Sequence, residues 1–332
     1  MKPIISVIVN CFNRRDYVID ALKSACDQNL SRSEYEIILI KNFHEVGIDK
    51  FTKENGIINI YTDKVTTGSW FEIAANNSKG DFISFLDDDD IMSPNKLYVI
   101  KSIIQQYPKI GYIHNKSTIT NTVLPVTEFD NSKIVFIQSY NRYYFRRALK
   151  HKYYSNLSSI SIRRNLLINH MHFIIGTSHG TDFVIFAAAC MSGSMMIEYD
   201  ERLTFFRIHT DSQSNFVAGS ITEFESMKGK VLSSFINNWF ILSEFENESP
   251  MKQYAKLRLV TTRIWLNLVS SNHVYNIGCA EIIASIRGIS LYPIFIPFIF
   301  IYYFDRLFHR ATKKIYYMVI YSRIGWRLRE NI

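Results

Sequence analysis

The chain has 332 residues, of which 47% are hydrophobic and 20% are charged, and this composition excludes an intrinsically disordered protein. The formal net charge is +8, but residues 287–332 hold eight Lys and Arg against two acidic residues, a net charge of +6. The remaining +2 leaves the bulk of the chain near neutral. Four cysteines lie far apart without paired spacing, which supports neither a zinc site nor a disulfide framework and indicates free thiols in a reducing cytoplasm.

Strands and helices alternate through the first 90 residues. The predicted strands are 4–9, 35–40, 57–61 and 82–86, and the predicted helices are about 16–28 and 69–78. This order predicts an α/β fold with a Rossmann-like, mostly parallel sheet and right-handed crossovers. The first apolar run has only six residues, so we read it as a strand and expect no signal peptide.

Four consecutive carboxylates, Asp87 to Asp90, follow the buried strand 82–86. Alternation along an extended chain predicts Asp87 and Asp89 on one side and Asp88 and Asp90 on the other. Clustered carboxylates repel one another unless a cation offsets their charge, and Mg²⁺ or Mn²⁺ prefers such oxygen ligands. A solvated acidic turn is the alternative. Ser93-Pro94 is predicted to cap the following helix, about 95–106.

Polar residues also follow the two preceding strands of the predicted sheet. The loop 10–14 ends the first strand, and Lys41-Asn42 ends the second. Because ligands in open α/β sheets lie at the carboxyl ends of the strands, these residues and the acidic run are expected to line one crevice. The crevice is the size of a nucleotide site and includes a metal position.

A series of motifs in this order resembles glycosyltransferase family 2, whose members have the GT-A fold and bind a sugar nucleotide through a divalent metal. The segments are residues 6–14, 36–40, 68, 75–76, 80–90, 158–164, 181–183 and 207–214. The resemblance covers about residues 3–215. Beyond it we expect a helical region, 216–286, and a membrane-associating tail, 287–332.

The resemblance implies a role for each site residue. Asp182 is the expected catalytic general base of an inverting displacement, and Asp89 and His209 are the expected ligands of Mn²⁺ or Mg²⁺. The residues expected to bind the donor nucleotide are Asn10, Phe12, Asn13, Arg14, Asn42, Asp87, Asp88 and Arg207. Two alternatives stay open: Asp182 as a helix N-cap, and Arg207-x-His209 as part of a surface strand.

Three departures from the family pattern bear on the substrate. Asn10-Cys11 replaces the usual Pro-Thr or Pro-Ser, and Thr181 replaces a Glu before the base. Lys41-Asn42 replaces an Asp pair, one member of which reads uracil, so the donor base stays open. The alternatives are a catalytically weak sugar-nucleotide-binding or scaffold protein, and a nucleotidyltransferase, which is disfavoured because a Gly-rich basic loop is missing.

The tail combines a basic charge with an apolar composition. Residues 288–304 carry no charge but include two prolines and are shorter than a membrane-spanning helix. The remaining tail has the pattern of a helix lying in the plane of a membrane, which predicts a membrane surface rather than nucleic acid as partner. A spanning helix, or a helix docked on this chain or on a second subunit of a homodimer, are the alternatives. We expect peripheral attachment at the cytoplasmic face and a glycan acceptor carried on polyprenyl diphosphate, as in many relatives.

Overall fold

A computed structural model describes residues 2–119, 128–207, 221–270 and 274–289, and single positions or short runs between 291 and 307. By its internal contacts the chain divides into two compact units, Met1–Phe216 and Val217–Ile332. The predicted amphipathic part of the tail, beyond residue 307, lies outside the described residues.

The first unit is built on one sheet of nine strands. Its strands are β1 (Ile5–Cys11), β2 (Tyr35–Lys41), β3 (Ile58–Tyr61), β4 (Phe82–Asp87), β5 (Ile91–Met92), β6 (Ile110–Thr118), β7 (Ile134–Ile137), β8 (Ile160–Arg163) and β9 (Met195–Phe205). The strand order is β3-β2-β1-β4-β8-β6-β9-β5, and β7 also pairs with β9. The α/β class is confirmed.

The sheet is parallel through its first four strands. β1 pairs with β2 and β4 in parallel, and β2 pairs with β3 in parallel, as the order of elements predicts. β8 is antiparallel to both β4 and β6, so the second half of the sheet is mixed. The parallel half aligns the carboxyl ends of β1, β2 and β4 at one edge, where the loops that follow them meet.

Eight helices of the first unit are described. They are α1 (Val18–Cys26), α2 (Val46–Glu54), α3 (Thr67–Asn77), α4 (Lys96–Gln106), α5 (Arg142–His151), α6 (Arg164–Asn169), α7 (Met171–Ile174) and α8 (Thr181–Met191). The predicted Ser93-Pro94 cap of α4 is wrong: Asn95 takes the N-cap position without a side-chain bond. Ser93 instead accepts the Lys96 N–H through its carbonyl, which closes a turn before the helix.

Close backbone packing fixes α3 against α7. A Cβ atom added to Gly68 would lie 1.7 Å from the Ile174 carbonyl oxygen, and backbone cannot move aside as a flexible side chain can. Gly68→Ala is therefore expected to lower the free energy of unfolding by about 3 kcal/mol, measured by chemical denaturation. Gly47→Ala in α2 is the matched control, since its nearest neighbour is the Glu45 side chain at 3.2 Å. Equal stabilities of the two variants would contradict this packing.

The second unit is helical where it is described. Its helices are α9 (Ile221–Ser243), α10 (Pro250–Val269) and α11 (Cys279–Ile289). Ser249 caps α10 by accepting the Lys252 N–H at 3.1 Å, and Pro250 stands at the first helical position. Buried apolar residues of α10, including Val260 and Ile264, form a core with Ile282 and Tyr302.

Candidate active site

The four consecutive aspartates do not continue the alternation of β4. The strand ends at Asp87, and the Asp90 N–H donates to the Asp87 carbonyl at 3.2 Å, which closes a turn. The predicted two-and-two division is therefore wrong, because a turn redirects the side chains. Carboxylate oxygens of Asp87, Asp89 and Asp90 all lie within 4.8 Å of one another, the one such acidic group found among the described residues.

Burial makes this cluster electrostatically costly. It raises the pKa of Asp87 well above its usual range, and the neighbouring carboxylates raise it further. Burial likewise raises the pKa of Asp88 to about 6 and that of Asp90 to about 7. Asp90 is fully buried, and its Oδ2 has no hydrogen-bond partner within the described part of the chain. Buried carboxylates with an unsatisfied oxygen fit a hard divalent cation, which would stabilise their ionised forms.

Arg14 is the nearest cation to this group. Its Nη1 lies 3.0 Å from Asp88 Oδ1 and also contacts Asp89. Asp88 therefore pairs with Arg14 and lies outside the three-carboxylate group, whereas Asp89 belongs to that group and also contacts Arg14. The guanidinium offsets part of the negative charge of the turn and holds the loop after β1 against the end of β4.

The loops after β1 and β2 are joined by two asparagines. The Asn13 N–H donates to Asn42 Oδ1 at 2.9 Å, and Asn42 Nδ2 donates to Asn13 Oδ1 at 2.8 Å. Asn13 has a φ of 58°, a left-handed conformation that asparagine tolerates better than most residues. The structure therefore brings together two of the residues predicted to bind the donor.

Asn10 lies near the end of β1 and Phe12 follows that strand directly, and the two side chains differ in exposure. Both polar side-chain atoms of Asn10 are buried and unpartnered among the described residues, although Asn10 lies beside Asp87 in the sheet register. Phe12 is 52% exposed and its ring centroid is 5.5 Å from that of Trp70. The Asn10 amide can therefore still form hydrogen bonds, and the exposed Phe12 ring offers an apolar contact.

Lys41 does not face solvent as a site residue would. It is 1% exposed, and its ammonium donates to the Phe43 carbonyl and pairs with Asp49 Oδ1, both at 2.8 Å. Since Asp49 belongs to α2, Lys41 ties β2 to that helix. Asn42, and not Lys41, is therefore the residue of this pair that contacts the loop after β1, through Asn13.

Asp182 lies in the first turn of α8, and the N-cap interpretation is wrong. Gly180 occupies the N-cap position in a left-handed conformation, and Asp182 Oδ1 accepts the N–H of Phe183 at 2.8 Å. Burial raises the pKa of Asp182. Its charge also contributes to the raised pKa of Asp87, so the two carboxyl groups are electrostatic neighbours.

The Arg207-x-His209 motif is described only in part. The Arg207 N–H donates to Asp90 Oδ1 at 3.2 Å, which joins the end of β9 to the acidic turn. The Arg207 guanidinium lies 4.4 Å from the ring centroid of Tyr17, the residue just before α1, and 3.3 Å from Oδ2 of Asp20 in α1. These two contacts hold the side chain against the start of that helix. His209 lies outside the described residues, and its role as a metal ligand stays a prediction.

Three residues at the site have no individual role in the sequence-based prediction. Asp90 completes the carboxylate group, and Ser158 Oγ accepts the Asp87 N–H at 2.9 Å. Lys96 is fully buried, and its ammonium donates to the Ser158 carbonyl and, at 3.1 Å, to Thr204 Oγ1. Burial lowers the pKa of Lys96 to about 7. The fourth Asp of the run was a signal for Asp90, whereas nothing in the pattern distinguishes Lys96 from an exposed lysine at a helix start.

Comparison with known proteins identifies related chains. A protein of Haemophilus influenzae described as an uncharacterized glycosyltransferase is 27% identical over 113 residues, 33% of this chain and 38% of the relative. The putative teichuronic acid biosynthesis glycosyltransferase TuaG of Bacillus subtilis is 29% identical over 104 residues, 29% of this chain and 40% of the relative. The matched region thus spans about two fifths of the length of these relatives.

Solved structures share the fold. S. aureus TarS 1-349 in complex with UDP-GlcNAc gives a TM-score of 0.58 at 14% identity, over 87% of this chain and 80% of that chain. The mannosyltransferase PcManGT from Pyrobaculum calidifontis, in complex with GDP-Man and Mn²⁺, gives a TM-score of 0.52 at 11% identity, over 95% of this chain and 87% of that chain. The family model described as Glycosyl transferase family 2 matches residues 6–186. Because this match covers more than half of the chain, the chain belongs to glycosyltransferase family 2.

Proposed function

We propose that this protein is an inverting, metal-dependent glycosyltransferase that moves a sugar from a nucleotide-diphosphate donor to a hydroxyl of a glycan acceptor. The observation that carries the proposal is the convergence of Asp87, Asp89 and Asp90 at the carboxyl end of β4. The unsatisfied polar atoms of Asn10 and Asp90 at this edge add support, since buried polar groups normally have partners.

The donor is assigned to the crevice between the loops after β1, β2 and β4. Asp89 and Asp90 would hold Mn²⁺ or Mg²⁺, which when bound acts as a Lewis acid on the leaving diphosphate. Asn10, Asn13 and Asn42 offer hydrogen bonds to the nucleoside. Related folds bind UDP-GlcNAc and GDP-Man, the latter with Mn²⁺, which supports a nucleotide-sugar donor.

Asp182 is assigned the proton transfer. Its carboxylate accepts the proton of the acceptor hydroxyl while the hydroxyl oxygen forms the new bond to the anomeric carbon. The bond from that carbon to the diphosphate oxygen breaks, and the diphosphate leaves with the electron pair. Because attack occurs opposite the leaving group, the anomeric configuration inverts. The raised pKa that burial gives Asp182 suits a base, since a more basic carboxylate takes up a proton more readily.

The acceptor is assigned to a lipid-linked glycan, such as one on polyprenyl diphosphate, in surface polysaccharide synthesis. The name of the Bacillus subtilis relative, which refers to teichuronic acid biosynthesis, supports this context.

The protein is proposed to attach peripherally to the cytoplasmic face of the membrane. Within the described ranges, no helix is long and apolar enough to cross a bilayer. Phe300, Tyr303 and Leu307, at helical spacing, are 72%, 48% and 76% exposed, which supports an apolar face toward a membrane.

Thermal stabilisation by nucleotides tests the proposal. The melting temperature of the full chain is measured with UDP, GDP, dTDP and CMP, each with and without Mn²⁺. A real site raises stability by about 2.7 kcal/mol at a ligand concentration of 100 times Kd. We expect a Mn²⁺-dependent rise with one nucleotide. The absence of any rise would favour the scaffold alternative.

A further inference from the structure

The surface of helix α5 carries an unusual concentration of positive charge. No Asp or Glu occurs from residue 131 to residue 181, although this stretch holds eight Lys and Arg. Four of the eight lie in α5 itself, and Lys152 follows directly after it. The stretch belongs to the first unit, whereas the basic tail belongs to the second.

Helix α5 separates its apolar and cationic residues cleanly. Phe145, Ala148 and Leu149 are buried against the protein. The cations Arg142, Arg146, Arg147, Lys150 and Lys152 are all exposed. Arg146, Arg147 and Lys150 form no ion pair with any carboxylate in the described part of the chain. The helix therefore buries its apolar face in the domain and presents unneutralised charge to its surroundings.

The spacing of these cations is unfavourable to the helix over its first turns. Arg142, Arg146 and Lys150 are four residues apart, so like charges are neighbours along one face. Arg142 also begins the helix, where the positive end of the helix dipole disfavours a cation, whereas Lys150 lies in the last turn, where the dipole favours one. The dipole therefore accounts for Lys150 but not for Arg146 and Arg147, and an anionic partner would remove the repulsion among all of them.

We propose that the outer face of α5 binds the anionic surface of a lipid bilayer. Tyr140 and Tyr143 are 75% and 71% exposed beside the cations, and tyrosine favours the level of the lipid headgroups. Lys and Arg near an anionic leaflet each add to the attraction. Since the apolar face of α5 is buried, contact is electrostatic and no insertion is required.

The position of α5 in the chain connects this contact to the site. Residues 152–157 lead from α5 to Ser158, whose Oγ accepts the Asp87 N–H. Within this link, the ring of Tyr154 lies 4.9 Å from that of Phe183, the neighbour of Asp182. Helix α5 is thus joined through Tyr154 to the start of α8, where Asp182 lies, and a bilayer bound at α5 would supply the lipid-linked acceptor to this part of the protein. The link to the acceptor rests on the proposed function, whereas binding of α5 to a bilayer can be measured without glycosyl transfer.

The test uses the full chain and its co-sedimentation with vesicles. Vesicles of phosphatidylcholine alone are compared with vesicles of phosphatidylcholine mixed with phosphatidylglycerol. The variant Arg146→Gln/Arg147→Gln/Lys150→Gln removes three exposed cations of α5. The control Lys53→Gln/Lys79→Gln/Lys109→Gln removes the same charge at exposed positions elsewhere in the first unit. Circular dichroism and the nucleotide-dependent rise in melting temperature verify that each variant is folded and competent.

The expected result is specific to α5 and to anionic lipid. The α5 variant should bind the mixed vesicles about tenfold more weakly or worse, while the control stays close to wild type. Equal binding of wild type and the α5 variant to the mixed vesicles would overturn the proposal. So would weakened binding of the α5 variant to heparin with unchanged vesicle binding, because the partner would then be a soluble polyanion. Neither result depends on glycosyl transfer, so a failure of the proposed function would be seen separately in the nucleotide experiment.

Discussion

Asp89→Asn is expected to lower kcat for sugar transfer by about a thousandfold in saturating Mn²⁺. The reason is that a metal acting as Lewis acid contributes several kcal/mol to the transition state, and each 1.4 kcal/mol is about tenfold in rate. Asparagine keeps the size of the side chain and an oxygen for Arg14 but removes the negative charge that a cation needs. The measurement is kcat against Mn²⁺ concentration, together with the Mn²⁺-dependent part of the nucleotide-induced rise in melting temperature.

The control for Asp89 is Asp81→Asn. Asp81 lies just before the start of β4, is exposed and pairs with Lys2 at 2.6 Å, so its replacement changes charge without touching the acidic turn. This variant should keep the kcat and the Mn²⁺ dependence of the wild type. If Asp89→Asn also kept both, the metal would have to be bound elsewhere and the assignment of Asp89 would be withdrawn.

Asp182→Asn is expected to lower kcat by a factor of about 10² to 10⁴, the usual contribution of a general base. Asparagine can still accept the Phe183 N–H, so the start of α8 should stay folded and donor affinity should change little. The base must be ionised to act. Because burial raises the pKa of Asp182, the wild-type rate should rise with pH through a value above the ordinary aspartate range, and the variant should lose this limb.

The pH profile of kcat separates a base from a merely structural residue. Asp200→Asn is a suitable control, since Asp200 is exposed on β9 and contacts Lys116. It should keep both the rate and the rising limb. An Asp182→Asn enzyme with nearly full kcat and an unchanged pH profile would show that another group takes the proton.

Much of the parallel half of the fold could be predicted because its strands are continuous apolar runs. β1, β2 and β4 begin and end within two residues of the predicted bounds, since burial on both faces leaves a strong signal. Helix α2 was not predicted. Its residues are mostly polar, with only Ile48 and Thr52 buried, and Glu45 initiates it by accepting the N–H groups of Gly47 and Ile48.

The composition of the site was easier to predict than its geometry. The acidic run was expected to hold a cation, but the turn that brings Asp90 to Asp87 depends on a backbone hydrogen bond that side-chain periodicity does not reveal. The same limit applies to Lys41 and Lys96. Lys41 pairs with Asp49 of α2, a helix that was not predicted, and Lys96 bonds Ser158 and Thr204, which are distant in sequence. Sequence spacing carries no signal for such partners.

The contact between Arg14 and Asp89 has a consequence for the order in which ligands bind. Under the proposed function, a metal ion bound by Asp89 would compete with the Arg14 guanidinium for that carboxylate. A diphosphate bound together with the metal would offer the guanidinium a new anionic partner, because arginine pairs well with phosphate oxygens. Each ligand would thereby favour binding of the other, and such coupling is reciprocal. Metal and donor should therefore bind as a cooperative pair, each with low affinity alone.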